Sequence, residues 1–256
     1  MILKDKVVIV TGAGPGMGQA LCRAAARDGA RVIVSARSRD AIEALAADIR
    51  AQGGEAIAVP CDVADMAQCR ALAEAALAKW GRIDGLANSA YYHPDWQPLE
   101  SHDLDQLRTA LDVIAIGGLR MAQAVIPTMK AQGAGSIVNV STLATRKPMP
   151  GEGGYAMGKA ALNQMTRQLA VELSGTGIRV NTALMGWMMG APLEDWLATL
   201  GDGAEAFRKE RIAQIPVGRI PPDADCAKAV LFLLSDYASE ITGAALDVNG
   251  GDWVAP

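Results

Sequence analysis

Tyr155 and Lys159 stand four residues apart in Tyr155-Ala156-Met157-Gly158-Lys159, the spacing that puts two side chains on one face of a helix. A free phenol, with a pKa near 10, is a poor base at neutral pH; a neighbouring ammonium favours the phenolate and lowers that value. The pair is therefore a candidate acid/base. Nearer the N-terminus, Thr11-Gly12-Ala13-Gly14-Pro15-Gly16-Met17-Gly18 follows a short apolar run. Glycines so placed let the backbone turn tightly and bring a helix N-terminus against a pyrophosphate. The next apolar run ends in Ser35-Ala36-Arg37-Ser38-Arg39, where a dinucleotide fold presents a side chain to the adenosine ribose. Ala36 offers no carboxylate there, and Arg37 and Arg39 can pair with a 2′-phosphate, so the sequence reads as preferring NADP(H), with NAD(H) possible. Asp62 either accepts a bond from an adenine amine or caps the following turn.

Holding these residues together requires a regular alternation of elements. Short β-branched runs near Lys6–Val10, Arg31–Ser35, Ala56–Pro60, Ile83–Ala87, Gly135–Val140, Ile178–Thr182 and Ala245–Val248 predict strands. Between them, helical periodicity predicts helices over Gly16–Asp28, Arg39–Gln52, Asp65–Trp80, Leu104–Lys130, Tyr155–Leu173 and Asp223–Leu234, with Gly29, Gly53 and Gly81 as stops. Repeated βαβ units follow: an α/β fold, a single Rossmann-type doubly wound parallel sheet of about seven strands with helices on both faces, spanning 1–256 as one domain. The stretch 186–222 breaks the rhythm, carrying only weak helical patterns around Pro192–Leu200 and Ala204–Ile212, and is expected to be a lid or substrate loop.

Composition narrows the function. Half of the 256 residues are hydrophobic and a fifth charged, which fits a folded globular chain. The net charge of −4 comes without a basic run, so neither nucleic acid nor a membrane surface is expected as a partner. No secretory leader and no run of roughly 18 apolar residues is recognised, which predicts a cytoplasmic protein. Cys22, Cys61, Cys69 and Cys226 form no CxxC and have no nearby histidine, so buried free thiols and no metal site are expected.

The tyrosine–lysine pair lies behind a run ending Ile137-Val138-Asn139-Val140-Ser141-Thr142. With the glycines at 12, 16 and 18, Asp62, Asn88, Ile178-Arg179-Val180-Asn181, Ile241-Thr242-Gly243 and Val248-Asn249-Gly250-Gly251, the sequence resembles the short-chain dehydrogenase/reductase family over nearly its whole length. The resemblance implies an NAD(P)(H)-dependent oxidoreductase that moves a hydride between nicotinamide and a carbinol or carbonyl carbon. It assigns Tyr155 as general acid/base, Lys159 to the nicotinamide ribose and the tuning of the phenol, and Asn88 to support of the cofactor pocket. Gly12, Gly14, Gly16, Met17, Gly18, Arg37, Asp62, Val63 and Gly186 are expected along the cofactor.

The departures are equally specific. Thr142 stands where the family usually has the serine that binds the substrate oxygen; its hydroxyl can make the same bond while its methyl narrows the pocket. Ile114 stands where the family usually has an asparagine supporting a proton-relay water. The family's Asn-Asn-Ala-Gly reads Asn88-Ser89-Ala90-Tyr91, and its Pro-Gly turn with a threonine four residues on reads Met185-Gly186 with Gly190.

Although only eleven residues are aromatic, Tyr91, Tyr92, Trp96, Trp187, Trp196 and Phe207 fall in segments expected at the C-terminal edge of the sheet, where ligands bind. Tyr91, Trp96, Trp187, Met188 and Trp196 are the expected pocket lining, for a hydrophobic, ring-bearing secondary alcohol or its ketone. His93 and His102 are expected on a surface loop. The Ala-, Met- and Leu-rich helices predict a homotetramer or homodimer, as the family usually forms. Two other functions share the pocket: a cofactor-binding protein with weak turnover, and a related isomerase or dehydratase.

Overall fold

In the computed structural model of the protein, residues 1–254 are described; the last two positions of the expected 1–256 span lie outside them. Val7–Thr11 (β1) is buried at every position, as a central parallel strand covered on both faces must be. The remaining strands are Arg31–Ser35 (β2), Glu55–Ala58 (β3), Gly85–Asn88 (β4), Gly135–Thr142 (β5), Ile178–Met185 (β6) and Ala245–Val248 (β7). They form one sheet in the order β3-β2-β1-β4-β5-β6-β7, every pair parallel. The strand order reverses between β1 and β4, which opens a crevice beyond their C-terminal ends.

Met17–Arg27 (α1), Arg39–Ala51 (α2) and Asp223–Leu234 (α9) cover one face, packing Leu21, Ile42 and Val230 against Val8, Val32 and Val138. Met66–Trp80 (α3), Leu104–Leu111 (α4), Gly117–Gln132 (α5) and Gly153–Glu172 (α6) lie on the other, where Leu72, Met121 and Leu169 close over Ile9, Ile33 and Val180. Gly81 ends α3 in the left-handed conformation at φ 71°, the stop its sequence predicts.

Two boundaries differ from the sequence expectation in ways that matter. β5 and β6 run on to Thr142 and Met185, partners in the ladder, so Ser141 and Thr142 sit on a paired strand end. The expected helix Leu104–Lys130 is broken by a π turn over Asp112–Ile116, one residue wider than α-helical spacing. Leu104–Gln132 is long and apolar enough to cross a membrane, with a mean hydropathy of 1.4 in its most apolar window. Its C-terminal half is spent on the sheet, with Met121, Ala122, Val125 and Met129 all fully buried, while Leu104 and Ile116 are exposed.

After β6 the chain forms the expected irregular segment, built of Ala191–Thr199 (α7) and Gly203–Gln214 (α8). Leu193, Leu197, Ile215 and Ile220 give it a small apolar core of its own. A single bridge between Met189 and Pro222 closes its base. The four cysteines are free and buried.

Candidate active site

The glycine-rich turn passes so close to its neighbours that side chains are excluded. A Cβ on Gly12, at φ +67°, would lie 2.4 Å from Ala90 N, and one on Gly18 would lie 2.0 Å from Gly12 O. Gly14 differs: nothing stands within 4 Å of its missing Cβ, so its outer face is open. Gly16 precedes α1 with no side chain capping the helix, which leaves its first amides, from Met17 and Gly18, for an anion. An open face beside an uncapped helix N-terminus fits a dinucleotide pyrophosphate.

Asn88 is 5% exposed and tied down: its Nδ2 donates to Gly118 O at 3.2 Å and to Asn139 Oδ1 at 2.9 Å. Asn139 in turn donates to Thr166 Oγ1 at 2.8 Å, which Thr182 joins at 2.9 Å. This buried network locks β4, β5, β6 and α6 together under the crevice, and sequence reading had found only Asn88 in it. Its signal was there, as polar residues within the apolar runs Ile137–Ser141 and Val180–Met185. Asp62 Oδ1 accepts from Ala64 N at 3.0 Å, the turn-capping alternative, while Val63 is buried against Gly117. Arg37 is exposed beyond β2, whereas Arg39 opens α2 and pairs with Glu43 at 3.3 Å.

A cleft of about 370 Å³ joins the glycine loop to Ser141, Thr142, Tyr155, Lys159 and the lid. α6 carries Tyr155 and Lys159 on one face, with the ammonium nitrogen 5.7 Å from the phenol ring centre. Lys159 is fully buried and donates to Val140 O at 2.6 Å; burial pulls its pKa down to about 7. Burial, then Tyr91 and Glu152, push the Tyr155 phenol above its ordinary value. Thr142 Oγ1 accepts from Ala144 N at 3.2 Å, which leaves its proton free to donate, and the buried Ser141 Oγ beside it has no partner among the described residues.

Both histidines lie on the segment after β4, whose Tyr91 and Trp96 are exposed, but their rings turn inward rather than to the surface. His102 is 6% exposed and bonded to Asp95 O. His93 is drawn into the cleft wall because its ring fits between two others, Tyr155 at 4.7 Å and Trp96 at 5.7 Å. Its Nε2 stands 3.3 Å from Oε1 of the buried Glu152. Sequence reading missed Glu152; the signal was its place three residues before Tyr155, a turn away on the same helix face.

Of the expected pocket residues, Tyr91, Trp187 and Met188 line the cleft together with Gly186. Trp96 lies outside the lining, exposed behind His93, and Trp196 packs on Phe207 at 4.8 Å within the lid. Ile114 is buried in the π turn against Leu162 and Tyr155. At Gly190 a Cβ would meet Asp223 Oδ2 at 2.5 Å, so a side chain there requires the Asp223 carboxylate to shift.

The comparisons with known proteins agree with this geometry. A family profile described as Enoyl-(Acyl carrier protein) reductase matches residues 12–252. An uncharacterized oxidoreductase of Methylorubrum extorquens is 36% identical over 250 residues, covering 97% of this chain and 98% of the relative. The 2,5-dichloro-2,5-cyclohexadiene-1,4-diol dehydrogenase LinX of Sphingobium indicum is 33% identical over 250 residues, 97% of this chain and 96% of its own length. Among solved structures, levodione reductase superposes with a TM-score of 0.90 at 29% identity, covering 97% of this chain and 98% of that one. With a parallel seven-stranded sheet, a glycine-rich turn at its reversal point and relatives named dehydrogenases and reductases, the chain belongs to the short-chain dehydrogenase/reductase family, oxidoreductases that act on CH–OH and C=O groups with NAD(P)(H).

Proposed function

We propose that this enzyme interconverts a hydrophobic, ring-bearing secondary alcohol and its ketone, preferring NADP(H) over NAD(H). The observation that carries the reading is the placement of Tyr155, Lys159 and Thr142 around one cleft whose remaining wall is largely apolar and aromatic. Tyr91, Met149, Trp187 and Met188 suit a ring rather than a charged chain. Two of the relatives are named for six-membered-ring substrates, a cyclohexadiene diol and levodione, which supports the same class.

The bound nicotinamide supplies or takes the hydride. Gly12, Gly14, Gly16, Met17 and Gly18 would hold the cofactor at its pyrophosphate; Arg37, Asp62 and Val63 would hold the adenosine end, and Asn88, Lys159 and Gly186 the nicotinamide end. Thr142 donates to the substrate oxygen and Tyr155 gives or takes its proton at the phenol Oη. The Lys159 ammonium, beside the phenol in a buried setting, favours its ionised form. The exposed apolar side chains of Leu104, Ile116, Met157 and Val171 favour assembly of a cytoplasmic homotetramer or homodimer through α4, the π turn after it and α6.

The test is absorbance at the nicotinamide band with cyclohexanol, 1-indanol, 1-tetralol and their ketones, using both cofactors. Tyr155→Phe should bind cofactor as the wild type does and lose turnover by about 100-fold or more. A Tyr155→Phe enzyme of near-normal rate refutes the assignment, and the mass of the particle by light scattering decides the assembly.

A further inference from the structure

His93 and Glu152 have no part in the chemistry above, yet His93 stacks on the residue on which it turns and Glu152 holds His93. Both ring nitrogens of His93 face acceptors: Nδ1 stands 2.7 Å from Pro94 O and Nε2 stands 3.3 Å from Glu152 Oε1. A neutral imidazole has one N–H and satisfies one acceptor; the imidazolium has two and satisfies both. The ring lies against Tyr155 with 4.7 Å between centres and 26° between planes, and Trp96 stacks behind it at 5.7 Å and 20°. Glu152, its side chain 7% exposed, is a buried carboxylate whose charge opposes ionisation of the phenol.

We propose that His93 is a positioning residue for Tyr155: as an imidazolium clamped by Glu152, it fixes the plane of the phenol and cancels the carboxylate charge that would oppose a phenolate. This rests on Tyr155 as the acid/base proposed above. Burial works against the imidazolium, but the bonds to Glu152 and Pro94 outweigh it and leave His93 above the ordinary histidine value of 6.5. Among the other titratable groups nearby, Tyr92 packs with Tyr155 against Ile114 and Leu162. Tyr91 is edge-on to Tyr155 at 6.2 Å, Lys159 lies 5.7 Å from the phenol ring, His102 is bonded to Asp95 O, and the Asp95 carboxylate is taken by Gln106. Glu152 is the carboxylate bonded to His93. As pH rises through the His93 value, the pair passes from net zero to net negative and begins to oppose the phenolate.

The chain has two histidines, so proton–nitrogen correlation spectra, assigned with His102→Gln, follow His93 directly. At about pH 6 the wild-type ring should carry both protons, and Glu152→Gln should lower its titration midpoint by about one pH unit, the low end for an opposite charge at this range. A neutral ring at about pH 6 in the wild type, or a midpoint unmoved in Glu152→Gln, overturns the proposal.

Kinetics supply the second arm. In NADP+-linked oxidation of 1-indanol, His93→Gln should move the rising limb of kcat/KM up by about one pH unit, since Glu152 is then uncompensated. His93→Gln with Glu152→Gln should return toward the wild-type position, because neither charge remains. A merely structural histidine predicts a double variant at least as displaced as the single, and that result also overturns the proposal. The two readings fail separately: a Tyr155→Phe enzyme with normal turnover removes the acid/base, whereas an inactive one, together with a His93 midpoint unmoved by Glu152→Gln, removes only the role of His93.

Discussion

Lys159→Met should make the cofactor-free protein more stable while destroying its activity, and the size of the gain should depend on pH. Lys159 is 2% exposed and bonds one carbonyl, Val140 O, with no carboxylate beside it. The fall from its ordinary 10.5 to about 7 is worth on the order of 5 kcal/mol of disfavoured charging. Methionine also forfeits the Val140 bond, about 1 kcal/mol. The net expectation near pH 6 is a gain of roughly a few kcal/mol, or a rise in Tm of roughly 10 °C for a chain of this size. The sign follows from proton binding. Between about pH 7 and 10.5 the unfolded lysine holds a proton that the folded one has released, so wild-type stability rises with pH across that window. The variant lacks this rise, and near pH 10.5 its advantage should vanish or reverse by the lost hydrogen bond. Thermal melts at fixed protein concentration from pH 6 to 10.5 read this directly. A wild-type-minus-variant difference that stays flat with pH refutes the reasoning.

Three further substitutions test separate parts of the site. Arg37→Ala should weaken NADPH by roughly 1–3 kcal/mol and leave NADH almost unchanged, by fluorescence titration, as the loss of one charged hydrogen bond to a 2′-phosphate would. Thr142→Ser should keep activity and Thr142→Val should lose most of it; a fully active valine variant moves the substrate contact to the unpartnered Ser141 hydroxyl. Ile114→Asn buries an amide among Ala110, Leu162 and Tyr155 and should cost roughly 1–3 kcal/mol in urea melts, an unchanged midpoint showing that a partner or water takes it up.

The alternation of elements was legible because parallel strands covered on both faces read as short apolar runs; the sheet order was not, since βαβ alternation is compatible with more than one strand order. β6 was read short because Ala183-Leu184-Met185 lacks β-branched residues; it extends because β5 pairs with it to the end. The π turn was invisible because one extra residue barely disturbs a helical period averaged over a long segment. Tyr155 and Lys159 were legible as a pair local to one helix. His93 with Glu152 was not, since their contact spans 59 positions and exists only once the loop after β4 folds over the start of α6.

The π turn at Asp112–Ile116 also bears on how the length of this chain can change. A further residue gained or lost along α4 or α5 would rotate α4 by about 100° relative to α5 unless another such turn absorbed it. Leu107 and Ala110, buried where α4 meets α6, and Met121 and Val125, buried on the sheet, could not then all face inward. The lid between β6 and α9 can lengthen or shorten freely by comparison, because its small core turns inward on itself. Descendants of this sequence are therefore free to gain and lose residues where the substrate is chosen, and are held to a fixed count along the helix that backs Tyr155.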